Sequence, residues 1–239
     1  MTVIEGSTAL VTGGLRGLGR AFVSELLARG ARKVYATART PGAGTAPGAG
    51  GDPRVEVLAL DVTDDASVTA AAARADDVDI VFNNAGVLHP APLLTGDLAD
   101  VRATFETNVL GPLRIARAFA PVLAARGGGA LVDIHSLLSW GAGAGSYGAS
   151  KAALWSLTNS LRLELAGRHT QVLGVHLGFA DTDMVAALPV GKVPPADVAR
   201  TVVDALARGD SEVLVDDATR AVKAALSGPV EGLTVRIGR

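Results

Sequence analysis

The sequence predicts an α/β fold, a doubly wound parallel sheet of seven strands with helices on both faces, and two observations carry that prediction. Short β-branched runs alternate with longer stretches of helical apolar spacing, the pattern of βαβ units with right-handed crossovers. Runs such as Asp79-Ile80-Val81-Phe82 are apolar almost without alternation, as a sheet covered on both sides requires.

The first strand, Ala9–Thr12, ends in a glycine turn, after which Arg20–Arg29 places apolar residues at helical spacing. Further strands are expected at Lys33–Ala38, Val55–Val62, Val78–Phe82, Ala130–Ile134, Val172–Leu177 and Glu212–Val215. The intervening segments 64–75, 97–126, 146–167 and 196–208 suit helices. Pro41–Pro53 is rich in Gly, Ala and Pro and reads as a mobile surface loop. Residues 217–239 form a tail with a short helix at Ala218–Leu226. Neither a boundary nor an internal repeat is evident, so 1–239 is expected to be a single domain.

With 239 residues, 49% hydrophobic and 19% charged, the chain has ample core material and the composition of a globular protein. A net charge of -2 without a run of Lys or Arg gives no footing to nucleic acid or an anionic membrane as partner. The absence of cysteine excludes disulfides, thiolate metal sites and Cys nucleophiles. No His/Asp cluster has ligand spacing, so no metal is expected; His135 and His176 fall in strands and read as core histidines. The amino terminus lacks a basic segment followed by an apolar one, and no stretch reaches membrane-spanning length, so a cytoplasmic location is the expectation.

Thr12-Gly13-Gly14-Leu15-Arg16-Gly17-Leu18-Gly19 joins the first strand to the first helix. Glycines there let the backbone approach a pyrophosphate, whose charge can rest on the free N–H groups of the helix N-terminus. The spacing is Gly-x-x-x-Gly-x-Gly rather than the commoner Gly-x-Gly-x-x-Gly. About 20 residues further on, such folds place the group that meets the adenosine ribose. Here that group is Arg39, with Arg16 nearby in the turn. A carboxylate would repel a 2′-phosphate and two guanidiniums would grip it, which favours NADP(H) over NAD(H).

Tyr147-Gly-Ala-Ser-Lys151 opens a helical segment, and four residues make about one turn, so Tyr147 and Lys151 share a face. A phenol with a pKa near about 10 is a poor acid at neutral pH, and an adjacent ammonium is expected to lower it. Upstream, Ser136 and Ser139 follow the fifth strand at the edge where ligands of this fold bind. Either serine could also be an ordinary loop residue. Asn108 lies within the third helical segment, where an Asn is more often exposed or locally bonded than functional.

Together these residues closely resemble the short-chain dehydrogenase/reductase family in its short, non-extended form, over about residues 6–185. The glycine turn Thr12–Gly19, the pair Asp61-Val62, the run Asn83-Asn84-Ala85-Gly86, and Asn108, Ser136, Tyr147 and Lys151 stand in the family's order. The resemblance implies a Rossmann-like fold and a reaction in which hydride moves between a nicotinamide and a carbonyl or alcohol carbon. It assigns Tyr147 as acid or base, Lys151 as its modulator and a holder of the nicotinamide ribose, Ser136 as partner of the substrate oxygen, and Asn108 as holder of a relay water. By the same likeness Thr12, Gly13, Leu15, Arg16, Gly17, Leu18, Gly19, Arg39, Asp61, Val62, Asn84, Ala85, Gly86, Tyr147, Lys151, Gly178, Ala180 and Thr182 would hold the cofactor.

Three departures stand out. Ser136 precedes Tyr147 by 11 residues, closer than is usual in the family, which keeps Ser139 in play. The stretch from Met184 to Pro195 is short where the family often builds a substrate lid, which implies an open cleft. The family's usual ending is replaced by Asp216-Asp217 and a helical tail, at the place where many relatives form dimers and tetramers. Leu138, Ser139, Trp140, Phe179 and Met184 are expected to line a mostly apolar substrate pocket for a hydrophobic ketone or secondary alcohol. A silent NADP-binding sensor or assembly protein is the alternative reading, and a Tyr147→Phe variant separates the two.

Overall fold

A computed structural model describes residues 2–41, 51–89 and 92–235. Most of the expected mobile loop, 42–50, and the last residues of the tail, 236–239, lie outside the described residues. Seven strands form one sheet in the order β3-β2-β1-β4-β5-β6-β7. They are β1 Thr8–Val11, β2 Lys33–Ala38, β3 Val55–Ala59, β4 Ile80–Asn83, β5 Gly129–Ile134, β6 Thr170–His176 and β7 Glu212–Leu214. Every pairing is parallel. The helices are α1 Gly17–Ala28, α2 Asp65–Arg74, α3 Leu98–Phe105, α4 Gly111–Ala125, α5 Gly145–Ala166, α6 Pro195–Arg208 and α7 Asp217–Ala224.

The near-continuous apolar strands serve two cores. Val11, Phe82, Val132 and Val175 face α1 and α6, meeting Phe22, Leu26, Val202 and Leu206. Leu10, Val81, Leu131 and Val172 face the other way, toward Val68 of α2, Ile115 and Phe119 of α4, and Leu165 of α5. The period-2 alternation of strand side chains thus fills both layers with apolar residues. Phe22 and Phe82 meet with ring centroids 4.9 Å apart at a tilt of 39°.

Local chemistry sets several boundaries. Asp64 caps α2 by accepting from the N–H groups of Ala66 and Ser67, and Gly209 ends α6 in the left-handed region at φ 84°. β3 stops at Ala59, short of the expected Val62. Beyond it the Asp61 carboxylate accepts from both the N–H and the hydroxyl of Thr63, turning the chain out of the sheet. α1 begins at Gly17, three residues earlier than expected, because the glycine turn supplies its first turn.

The expected single helix over 97–126 is divided. Glu106–Leu110 adopts π-helical bonding between α3 and α4. One extra residue per turn rotates Asn108 inward, which apolar periodicity does not reveal. The chain order reverses direction across the sheet between β1 and β4, so the carboxyl ends of these strands open a crevice.

Truncating Phe82, fully buried against Phe22, removes a shared element of the sheet and α1. Phe82→Ala should lower unfolding free energy by about 3–5 kcal/mol in urea titration. A loss below about 1 kcal/mol would show that this layer repacks freely.

Candidate active site

The glycine turn is knitted to the sheet before any ligand is considered. Thr12 Oγ1 accepts from the N–H groups of Asn84 and Ala85, both at 2.9 Å, and donates to Phe82 C=O at 3.1 Å. Asn84 Nδ2 returns to Thr12 C=O at 2.8 Å. The Thr12 hydroxyl is therefore committed within the protein, and its place in the site is to hold the turn. Gly19 must lack a side chain, since a Cβ there would stand 2.1 Å from Gly13 O. Gly17 has φ 51°, and a Cβ on it would meet Thr182 at 3.4 Å, so the turn and the segment after β6 face each other closely.

At the N-terminus of α1 no side chain caps the helix and no acid occupies the first turn. The adjoining cleft of about 370 Å³ is lined by Arg16, Gly17, Arg20, Asp181, Thr182 and Asp183. An uncapped helix end beside two guanidiniums fits a diphosphate. Leu15 and Leu18 pack partly buried against the core and fix the turn's depth.

Gly14 N–H donates to Thr37 C=O at 2.9 Å, which pins the turn to the end of β2. Arg16 and Arg39, each two residues beyond one of those partners, are exposed, and neither forms an ion pair among the described residues. Arg39 also acts on Asp61, whose carboxyl lies below the usual range mainly through its bonds from Thr63 and secondarily through that guanidinium. Val62 is buried and meets Gly111 at the start of α4. This end of the crevice thus carries two exposed cations and one anchored carboxylate.

The reacting end is built where β4, β5 and α5 converge. Lys151 is buried, and its Nζ donates to Ile134 C=O at 2.7 Å. Burial lowers its pKa to about 8, opposed by the nearby Asp133 charge. Tyr147 stands one turn earlier, with Lys151 Nζ 5.8 Å from its ring centroid. The expected lowering of the phenol by this ammonium does not occur here. Burial raises Tyr147 to about 12, while the Ser136 hydroxyl opposes it. The reason is geometric: Lys151 turns toward the strand carbonyl.

Ser136 faces Tyr147, and Ser139 serves another purpose. Ser136 caps a 3-10 turn at Leu137–Ser139, its Oγ accepting from Leu138 N–H at 3.1 Å. Ser139 Oγ accepts from Ser136 N–H at 3.4 Å and closes the capping box.

Asn108 is fully buried. Its Oδ1 accepts from Val87 N–H at 2.9 Å, and its Nδ2 donates to Val87 C=O at 3.0 Å and Ser150 Oγ at 3.1 Å. A Cβ on Gly86 would lie 3.3 Å from Asn108 Oδ1 and 3.8 Å from Lys151 Nζ. Gly86 therefore lies close against both side chains.

A buried acid at this edge, Asp133, and its partner Thr158 escaped sequence reading. Asp133 accepts from Asn83 Nδ2 at 2.8 Å and from Thr158 Oγ1 at 2.7 Å beneath Lys151. Its burial raises its carboxyl pKa. An acid inside the apolar run Ala130–Ile134 was the available signal. His135, His176 and Trp140 stack in series, with centroids 4.6 and 3.9 Å apart. Both histidines are buried, and burial depresses both, His176 to about 3.

The stack corrects the expected substrate lining. Trp140 spends its ring face on His176, and it, Leu138 and Ser139 are buried. Half-buried Phe179 and Met184, 48% exposed, remain accessible. Gly178 N–H donates to Asp216 Oδ2 at 2.7 Å. Ala180 bridges to Val193, and Thr182 Oγ1 points to Ala180 C=O at 3.4 Å. The short 181–192 segment is thereby closed at its base. Among the described residues no group of three or more His, Cys, Asp or Glu could hold a metal, and no helix is long and apolar enough to cross a membrane.

Known proteins resemble this chain in sequence and in fold. The ketoacyl reductase HetN of Nostoc sp. is 30% identical over 234 residues, covering 90% of this chain and 80% of that protein. The 3-oxoacyl-[acyl-carrier-protein] reductase FabG of Escherichia coli is 36% identical over 194 residues, covering 77% and 78%. A short-chain dehydrogenase from Burkholderia cenocepacia, solved in complex with NADP, superposes with a TM-score of 0.90 at 36% identity, covering 98% of this chain and 97% of its own. The family model for short chain dehydrogenase matches residues 7–191. With the glycine turn, the buried Lys151 and the facing Ser136 and Tyr147 all at one sheet edge, the chain belongs to the short-chain dehydrogenase family of oxidoreductases.

Proposed function

We propose that the protein is an NADP(H)-dependent reductase of hydrophobic ketones or aldehydes, working reversibly on the matching secondary alcohols. The observation that carries the reading is the convergence of Ser136, Tyr147 and Lys151 at the carboxyl edge, with the exposed guanidiniums of Arg16 and Arg39 beside the end of β2. The glycine turn would hold the diphosphate, Arg16 and Arg39 the 2′-phosphate, and Lys151 with Gly178 and Thr182 the nicotinamide end. The NADP complex of the Burkholderia cenocepacia relative supports the choice of cofactor, and the two ketoacyl reductases support a carbonyl substrate.

When bound, the cofactor supplies the hydride, and this chain supplies placement and a proton. Tyr147 is held protonated by burial, so it is suited to donate its phenolic proton to the substrate oxygen. The Ser136 hydroxyl, already within its field, would hydrogen-bond that oxygen as negative charge develops. The Lys151 ammonium stays anchored on Ile134 C=O, with its Nζ 5.8 Å from the Tyr147 ring centroid. Asn108 fixes Val87 and Ser150 around Lys151 and keeps that side of the site rigid. Phe179 and Met184 present apolar surface to the substrate.

Tyr147→Phe should reduce ketone turnover by at least about a hundredfold while leaving NADPH binding unchanged, read by stopped assay and fluorescence titration. Retained turnover would sink the proton-donor assignment, and a silent binding protein would show none in the wild type. Arg39→Asp should weaken NADPH by about ten- to a hundredfold and narrow or reverse the preference over NADH. If both cofactors are affected equally, Arg39 does not meet the 2′-phosphate.

The pH dependence follows from Lys151. At subsaturating NADPH, reductive kcat/KM should be level near neutrality and fall above about 8 as the ammonium loses its proton. A profile level to about pH 10, the range of an unperturbed lysine, would remove Lys151 from the rate-determining protonation.

A further inference from the structure

The chain beyond β7 takes no part in the sheet, yet it docks on the connection that joins Ser136 to Tyr147. Ala142 N–H donates to Leu233 C=O at 2.8 Å, and Val235 N–H donates to Ala142 C=O at 2.8 Å. These two bonds form a parallel bridge centred on Ala142 and Thr234. The glycines on either side make room for it. A Cβ on Gly141 would stand 2.4 Å from Val235 Cγ2, and one on Gly143, at φ 132°, would stand 2.5 Å from Val235 O. Only glycine fits at both places.

Apart from the tail, the connection is held at its start, where Gly141 N–H donates to Leu137 C=O at 3.0 Å and Trp140 meets Trp155 of α5 with centroids 5.8 Å apart. Gly141, Gly143 and Gly145 give it large backbone freedom. The N-cap of α5, Ala144, offers no side-chain hydrogen bond, so the first turn that carries Tyr147 has no cap of its own. Gly141 touches that turn as well: a Cβ on Gly148 would lie 3.8 Å from Gly141 O. Gly141 thus lies between Val235 and the start of α5.

A second anchor lies at the other end of the tail. Asp216 caps α7 through Thr219 N–H at 2.8 Å and holds Gly178 N–H at 2.7 Å. Lys223 on α7 lies 5.5 Å from the Trp140 ring centroid and pairs with Glu212. Trp140 in turn stacks on His176, whose Nδ1 is 3.3 Å from Ser136 C=O. The tail thus meets the 140–145 connection at Trp140 and at Ala142.

We propose that residues 217–235 act as a positioning strap: by pinning Ala142 and Trp140 they fix the angle at which Tyr147 meets Ser136. None of the strap's residues touches the reacting atoms. This inference rests on the reductase reading for its kinetic consequence, but the strap itself is tested independently of turnover.

Val235→Pro removes the N–H that donates to Ala142, whereas Val235→Ala keeps it. In the full chain, Val235→Pro should lower kcat for a hydrophobic ketone by about ten- to a hundredfold, as expected for a misplaced acid. NADPH affinity should stay at the wild-type value, and Val235→Ala should restore kcat. A chain ending at Ser227 should match Val235→Pro. Amide exchange at 142–147 should accelerate in Val235→Pro and in the shortened chain, and not in Val235→Ala. Unchanged exchange there overturns the strap even if no carbonyl substrate is turned over by any variant. Wild-type kcat in Val235→Pro overturns it as well, as does a loss of NADPH affinity equal to the loss of kcat.

Discussion

A buried ammonium has to be paired, and in this protein that requirement organises the reacting end. Lys151 lies on α5 with its Nζ on the last carbonyl of β5, over the buried Asp133. Leaving such a charge unpartnered inside a fold costs several kcal/mol, so α5 is held at one depth and one rotation against the strand. Tyr147, one turn earlier on the same face, takes its place from that anchor. Ser136 follows two residues after Ile134, and Gly86, beyond β4, comes close enough that a Cβ on it would lie 3.8 Å from the same Nζ.

The cofactor end depends on a different constraint, the parallel order of the strands. Because every strand runs the same way, all carboxyl ends meet at one edge, and the reversal between β1 and β4 parts the helices there. Thr12 and Asn84 then tie the two strands across the crevice with four hydrogen bonds of their side chains and backbones. The turn is rigid before any anion arrives, so binding need not order it. Arg16 and Arg39, by contrast, stay solvated and exposed, suited to a group that is present only when ligand is.

Burial acts in opposite senses on the two ionisable groups of the reacting end. It raises the phenol of Tyr147 and lowers the ammonium of Lys151, drawing both toward their neutral forms. A neutral phenol beside the Ser136 hydroxyl is a proton donor in waiting, which agrees with a reductive direction. The lowered ammonium is a compromise between the low dielectric around it and the charge of Asp133.

Much of the fold was legible in the sequence because it rests on local rules. Apolar runs bounded by turns located all seven strands, and the spacing of Gly13, Gly17 and Gly19 reported a turn that admits no Cβ at Gly19. Tyr147 and Lys151 could be placed on one face from helical geometry alone. The rest depended on contacts between residues far apart in the chain. The π-helical turn at Asn108 exists because its side chain binds Val87, 21 residues away. The Lys151 ammonium chose Ile134 C=O, 17 residues away, over the tyrosine. Trp140, read as pocket lining, is drawn into a stack with His176 from β6 under Lys223 from α7. Residue type and spacing determine which chemistry the chain can carry; burial and long-range pairing, which exist only once the layers close, decide which atoms face one another and how strongly they hold their protons.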